Sequence, residues 1–417
     1  MLGEKLSFLW RDIFWWWAKI FLGPLLRFFF HIQSEGKRRF PPRGQPAFLL
    51  ANHTNTVDPF IIADFINRPI RYVVSDEYFR YKVSRILLRW VKGIPKTKNI
   101  PDSVTMRMLL RAIKRGEVIG IFPEGARNWD GETIPLEDTI PRLVKKLKMP
   151  VICVKQRGSY LSWPRWTNQL RRGRIIFEFS YLFENPAIIP DDVNEIKCRI
   201  EEKLIYSELE DPRVTRYVFD IPRAAEHLEL RLWLCPHCKR FFVLESKDKY
   251  LYCTACGARW RFIGNGTFQL NKLGEPLAPG ARNFRRYIDW ARWNDALTLP
   301  MLLERKRQGK DPLIFLPAKM WSAVTETGRN RDFNIQGEGT ASLTPDFRMV
   351  FTLDGDNKPL LDLPLTGMKG VNIAWNQKFE FFDEGTAYRF TFFGQSAYFW
   401  HFLTQELDKS KSKGGHR

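Results

Sequence analysis

Phe48-Leu49-Leu50-Ala51-Asn52-His53-Thr54-Asn55-Thr56-Val57-Asp58 is an apolar run that stops at a histidine and, five residues later, an aspartate. A short apolar run bounded by polar residues has the length and character of a buried strand. Pro59 opens the next run, Phe60-Ile61-Ile62, so Asp58 is expected at a helix N-cap with Pro59 in the first helical position. His53 then falls in the loop between strand end and helix start, where open α/β sheets hold their ligands. Taken alone, the pair reads equally well as a hydrogen-bonded loop histidine beside an ordinary cap.

A second stretch breaks that tie. Val118-Ile119-Gly120-Ile121-Phe122-Pro123-Glu124-Gly125-Ala126-Arg127-Asn128 is again strand-like and again ends in polar residues, and a helix over 103–115, closed by Gly116, precedes it. Two such strands with a helix between them read as parallel neighbours whose loops emerge at one sheet edge. His53, Asp58, Glu124 and Arg127 are therefore expected to meet there.

These residues resemble the glycerolipid acyltransferases. His53 with Asp58, and Phe122-Pro123-Glu124-Gly125 with Arg127, are similar to the first and third signature blocks of that family. Gly93, Pro95 and Lys98 resemble the second block, and Pro150-Val151-Ile152 the fourth. The likeness covers residues 40–205. Lys98 stands in place of an arginine, Ala126 and Asn128 in place of small hydroxyl residues, and Cys153 in place of a proline. The resemblance implies His53 as general base oriented by Asp58, and a phosphate site made by Lys98 and Arg127, Arg127 bidentate. Gly125 would allow close backbone approach, and Glu124 would bond the acceptor's glycerol or order Arg127. The implied reaction moves an acyl group from acyl-CoA or an acyl carrier protein to the free hydroxyl of 1-acylglycerol-3-phosphate. Another lysophospholipid or glycerol 3-phosphate is the alternative acceptor.

The 417 residues carry a formal charge of +20, so the partner is acidic, and the 15 Trp and 33 Phe tilt the choice toward an anionic membrane and away from nucleic acid. Residues 5–31 are the most apolar segment. Arg11, Asp12, Lys19 and Arg27 interrupt them too often for a span, and Gly23-Pro24 is expected to split them into two helices that lie in a membrane interface. The expected location is the cytoplasmic side of a membrane, peripheral or monotopic, which in a bacterium is the inner membrane.

Strands alternating with helices make the catalytic part α/β with a mixed or mostly parallel sheet. Helices are expected over 59–66, 82–90, 142–148 and 193–209. Residues 159–174, rich in Arg and Trp, read as a surface loop or a contact for phosphate or an acidic carrier. Cys235-Pro-His-Cys238 and Cys253-Thr-Ala-Cys256 have the spacing of a four-cysteine zinc ribbon with a structural Zn²⁺, His237 standing by. Cys153 and Cys198 read as buried thiols. Residues 264–279 read as a linker and 283–307 as helical. Short strands from about 341 to 393 and a helix over 396–407 resemble a PH/GRAM-like domain. The expected divisions are 1–36 (interface helices), 37–220 (catalytic), 221–270 (ribbon), 271–320 (linker and helix), 321–409 (PH-like) and 410–417 (disordered basic tail). A different class of reading makes the chain a zinc-ribbon protein that binds nucleic acid or protein, without activity.

Overall fold

A computed structural model describes residues 2–36, 41–42, 44–96, 103–219, 221–324, 333–374 and 376–414, with side chains described from residue 8 to residue 410. The chain forms two compact units, one of Met1–Thr97, Pro101–Ile221 and Gly264–Gly266, the other of Lys98–Ile100, Pro222–Ile263 and Thr267–Arg417.

The first unit is built on seven strands: β1 (Gln33–Gly36), β2 (Ala47–Ala51), β3 (Ile70–Ser75), β4 (Ile94–Lys96), β5 (Val118–Ile121), β6 (Val151–Arg157) and β7 (Ile176–Phe183). They lie in the order β1-β7-β6-β2-β5-β3-β4. All neighbours are parallel except β6 and β7. Strand β2 runs between β5 and β6, and all five of its residues are buried. Phe48 and Leu50 join the core under α4 (Ser103–Lys114), α5 (Thr139–Leu147) and α7 (Val193–Leu204). Leu49 and Ala51 join the opposite core, under α1 (Leu2–Phe30) and α2 (Asp58–Asp64). Alternate side chains of one strand thus feed both faces, which is why β2 is continuously apolar. Helices α3 (Lys82–Trp90), α6 (Ser159–Ser162) and α8 (Pro212–Thr215) complete the unit.

Several expectations need correction. α1 is one helix through Gly23-Pro24. A Cβ at Gly23 would collide with the Asp64 carboxylate, so this glycine serves the close approach of α1 to α2. Leu26 and Phe30 pack into the core and Arg27 pairs with Asp64, and these contacts hold the second half in line despite the missing Pro24 N–H. α7 ends at Leu204; residues 208–210 make a separate turn that buries Glu208. The segment 159–174 is folded inward, with Tyr160, Trp166 and Arg171 buried. Cys153 is buried, but Cys198 is exposed. On α7 it lies about 200° round from Ile196, which with Ile200 faces the core.

In the second unit β8 (Leu244–Lys247), β9 (Tyr250–Cys253), β10 (Arg259–Ile263) and β11 (Thr267–Lys272) form an antiparallel meander. β11 occupies part of the stretch expected to be a linker. Gly264-Asn265-Gly266 is the hairpin turn that brings Phe268 onto Phe262, ring centroids 5.1 Å apart. Helix α9 (Tyr287–Arg307) is fastened to the meander's approach: Asn294 Oδ1 accepts from the Trp233 and Leu234 N–H groups at 3.1 and 3.0 Å, and Arg231 grips Asp295 with two bonds.

The last seven strands are β12 (Ile314–Val324), β13 (Asn334–Leu343), β14 (Arg348–Leu353), β15 (Leu361–Pro364), β16 (Lys369–Ala374), β17 (Lys378–Asp383) and β18 (Thr386–Phe392). They form an all-antiparallel sheet ordered β15-β14-β13-β12-β18-β17-β16, with α10 (Ala397–Gly414) packed on it through Trp400 against Phe392. β12 was not expected and starts before residue 321, yet it is central. Pro317 hides it: β12 pairs with β18 only from Ala318 onward, so the proline sits where its missing N–H costs no ladder bond on that side. α10 also continues to Gly414, into the expected tail.

Candidate active site

The loops after β2 and β5 are stitched together through His53. Its backbone N–H donates to Glu124 Oε1 at 2.6 Å, and its carbonyl accepts from the Asn128 N–H at 3.2 Å. Glu124 Oε2 accepts from the Ile134 N–H at 3.0 Å. Both carboxylate oxygens of this buried residue are therefore spent on backbone, and Glu124 orders the loops. Burial pushes the Glu124 carboxyl up to about 8 against the pull of those two N–H groups.

Asp58 is fully buried and begins α2, whose N-cap is Val57, so it is not the cap that the sequence suggested. Its side chain turns back on the loop. Oδ2 accepts from His53 Nδ1 at 3.1 Å and from the Thr54 and Asn55 N–H groups at 2.8 and 2.9 Å. Oδ1 accepts from Ser159 Oγ at 2.9 Å. Asn55 Nδ2 in turn donates to the Ser159 carbonyl and hydroxyl. The carboxylate is held on both oxygens, and with Nδ1 engaged, the other imidazole nitrogen is left as the one able to take a proton. The His53 ring is one-fifth exposed and stacks on Phe122 at 4.0 Å.

Ser159, Asn55 and Phe122 were not anticipated. Gly158, with φ +79, was the available signal: it turns the chain after β6, and a Cβ there would meet the Arg174 carbonyl. Behind that turn, buried Glu208 accepts from the Tyr160 and Leu161 N–H groups at 3.2 and 2.6 Å, and its carboxyl is pushed up to about 8, chiefly by burial.

Arg127 lies between Glu124 and Asn128 in the same loop. Its carbonyl accepts from Arg165 at 2.5 Å, and its guanidinium bonds the Tyr78 hydroxyl. Gly125 adopts φ +66, and a Cβ there would meet Glu137. Glu137 is the ion-pair partner of Lys96, 2.5 Å away. Gly93 and Pro95 bracket the start of β4, whereas Lys98 lies outside the described residues.

Residues 31–156 match the Acyltransferase family. The matched residues include His53, Asp58, Glu124 and Arg127. A 1-acyl-sn-glycerol-3-phosphate acyltransferase of Bacillus subtilis (strain 168) is 25% identical over 113 residues, 27% of this chain and 56% of that protein. A chloroplastic 1-acyl-sn-glycerol-3-phosphate acyltransferase, BAT2, of Brassica napus is 21% identical over 145 residues, 34% of this chain and 41% of that one. The chain thus spans about half the length of these curated relatives. The crystal structure of the 1-acyl-sn-glycerophosphate acyltransferase PlsC from Thermotoga maritima aligns with a TM-score of 0.40 at 19% identity, covering 46% of this chain and 77% of that one.

In the second unit Cys235, Cys238, Cys253 and Cys256 bring four sulfurs within 4.8 Å of one another. Cys235 and Cys256 Sγ are 3.8 Å apart, and Cys238 and Cys253 Sγ 3.7 Å. A disulfide is about 2.05 Å long, so these are free thiols. The edge of a tetrahedron of ~2.3 Å metal–sulfur bonds is about 3.8 Å, the spacing of these two pairs, and the remaining separations stay within 4.8 Å. His237 is not part of the set, since its Nδ1 accepts from the Gly274 N–H at 3.0 Å.

Proposed function

We propose that the protein is an O-acyltransferase that transfers a fatty acyl group from acyl-CoA or an acyl carrier protein to the free hydroxyl of 1-acylglycerol-3-phosphate. The observation that carries this reading is the His53–Asp58 pair, stitched by backbone bonds to the Glu124–Arg127 loop inside the acyltransferase-family segment. His53 takes the proton of the acceptor hydroxyl as its oxygen attacks the thioester carbonyl carbon. The tetrahedral intermediate then expels the thiolate, which recovers the proton from the imidazolium. Asp58 holds the tautomer and stabilises that imidazolium. Arg127, with Lys98, binds the acceptor phosphate. Incubation of the purified chain with oleoyl-CoA and a panel of lysophospholipids, with products resolved by mass spectrometry, tests the reading; no phosphatidate from lysophosphatidate overturns it.

Ser159 is a positioning residue in this scheme, since it is the close donor to Asp58 Oδ1. Leaving a buried acceptor unmatched costs about 1–3 kcal/mol. Ser159→Ala is expected to lower kcat by roughly ten-fold with KM little changed, a split that a general loss of folding does not produce. Wild-type kcat in that variant removes Ser159 from the scheme.

α1 supports peripheral membrane attachment. The cations whose side chains are described reach domain groups: Arg11 pairs with Glu117, Lys19 bonds the Ile66 carbonyl and Arg27 pairs with Asp64. Trp10, Trp17, Ile20, Phe21, Leu25 and Phe28 face outward, more than half exposed. Phe8–Phe30 is by length and composition apolar enough to cross a membrane, with mean hydropathy 1.3. The inward-facing charges explain how the helix tolerates them in an interface. Because Phe30 belongs to the core, the apt test is Trp10→Ser with Trp17→Ser, which should release the protein from anionic vesicles at unchanged melting temperature. Undiminished sedimentation with vesicles argues against this role for α1.

The four cysteines fit a structural Zn²⁺ in chemistry and spacing. Four thiolates leave no position for substrate, so the metal would hold the ribbon and supply no catalysis.

A further inference from the structure

α3 is a helix with none of its residues fully buried. Its ends are closed locally: Ser84 Oγ donates to the Tyr78 and Tyr81 carbonyls, and the Leu88 carbonyl accepts from Gly93 N–H at 2.9 Å. Val83, Ile86 and Trp90 fall within about 60° of one another round the helix. They are 81%, 45% and 56% exposed. Lys82, Arg85 and Arg89 occupy the adjoining arc of similar width, so an apolar ridge runs beside a basic flank. Exposure of this much contiguous apolar surface marks an interaction site.

Two observations say what covers it. The ridge is continuous with the outward face of α1, because Phe14 meets the edge of Trp90 at 5.5 Å. The basic flank suits an anionic surface and opposes a second copy of a chain carrying +20. The helix is also bracketed in sequence by the candidate site: Tyr78, just before it, bonds Arg127, and Gly93 with β4 follows it directly.

We propose that α3 is a second membrane-inserting element. It seats Val83, Ile86 and Trp90 in an anionic bilayer with Lys82, Arg85 and Arg89 among the headgroups. The acceptor lipid then passes to Arg127 from the same leaflet, a clause that rests on the acyltransferase reading above.

The test compares wild type with Val83→Glu/Ile86→Glu in the full chain. Both positions are exposed, so the melting temperature should hold. Partition onto vesicles of phosphatidylcholine with phosphatidylglycerol is expected to fall ten-fold or more. Transfer to vesicle-borne lysophosphatidate should fall with it, while transfer to a short-chain, monomeric lysophosphatidate stays within about two-fold. Unchanged partition overturns the proposal. So does an equal loss on the soluble acceptor, which would place the effect in the site, and so does a wild-type dimer that the variant splits, which would make the ridge a contact between copies. If wild type acylates neither acceptor, the acyltransferase reading fails, and the partition comparison still decides the membrane role of α3.

Discussion

Alanine at position 53 is expected to reduce acyl transfer by about 10² to 10⁴, the usual contribution of a positioned general base. The loss should appear in kcat, because in the proposed scheme the imidazole acts on a proton in transit and the acceptor phosphate is bound elsewhere, by Arg127 with Lys98. His53→Ala is the better probe of the pair. Its backbone N–H and carbonyl, which tie the two loops, survive the change. Asp58→Asn would leave a neutral amide oxygen to take three N–H donors and turn its NH2 on the Ser159 hydroxyl that now donates to Oδ1, and so disturb the loop as well as the chemistry. Steady-state kinetics with lysophosphatidate, alongside the thermal unfolding curve, make the check. Full activity in a folded His53→Ala protein would dismiss the imidazole as the base.

The parts of this site that the sequence disclosed are those governed by local pattern. Two apolar runs ending in polar loops with a helix between them are enough to place β2 beside β5 and their loops on one edge, and the register Leu50 to Ile121 realises it. What stayed hidden depends on residues distant along the chain. Ser159 is 101 positions from Asp58, and only the left-handed turn at Gly158 aims it. Glu124 has the look of a charge for a substrate or for Arg127, and the two backbone donors that reach it could not be read from its neighbours, because buried N–H groups need acceptors as much as cations need anions. Pro24 misled because proline is read as a break from local rules, while tertiary packing keeps α1 whole. β12, which the sequence did not disclose, carries Pro317 where the start of pairing with β18 excuses the missing donor. The hairpin at Gly264–Gly266 reads as loose linker until its flanking strand buries Phe268.

Withdrawing the proposed Zn²⁺ from the second unit should have a larger effect on folding than any single substitution above. Four thiols gathered within 4.8 Å, three of them buried, form a cluster that the thiolate charges alone would drive apart. A divalent ion reverses that balance; structural zinc in small ribbons contributes an apparent ~10–16 kcal/mol at neutral pH. Each knuckle is a small turn closed by two backbone bonds: Lys239 N–H to the Cys235 carbonyl at 2.9 Å with Cys235 N–H to the Arg240 carbonyl at 3.1 Å, and Gly257 N–H to the Cys253 carbonyl at 2.9 Å with Cys253 N–H to the Ala258 carbonyl at 2.8 Å; the meander behind them is four short strands. Gly274 passes so close to Cys256 that a side chain there would strike the sulfur, so the surrounding backbone is shaped to the cluster as well. The expected result is one zinc per chain by elemental analysis of gently purified protein. Cys235→Ser, or exhaustive chelation, should then unfold residues 222–270, seen as loss of amide-exchange protection there. Hydrogen exchange is the right readout because it separates the ribbon from the acyltransferase-family segment, whose β2 amides should stay protected. Metal-free protein that melts at the same temperature with an intact exchange pattern would mean that the thiols pack as ordinary core side chains and that the ribbon stands without an ion.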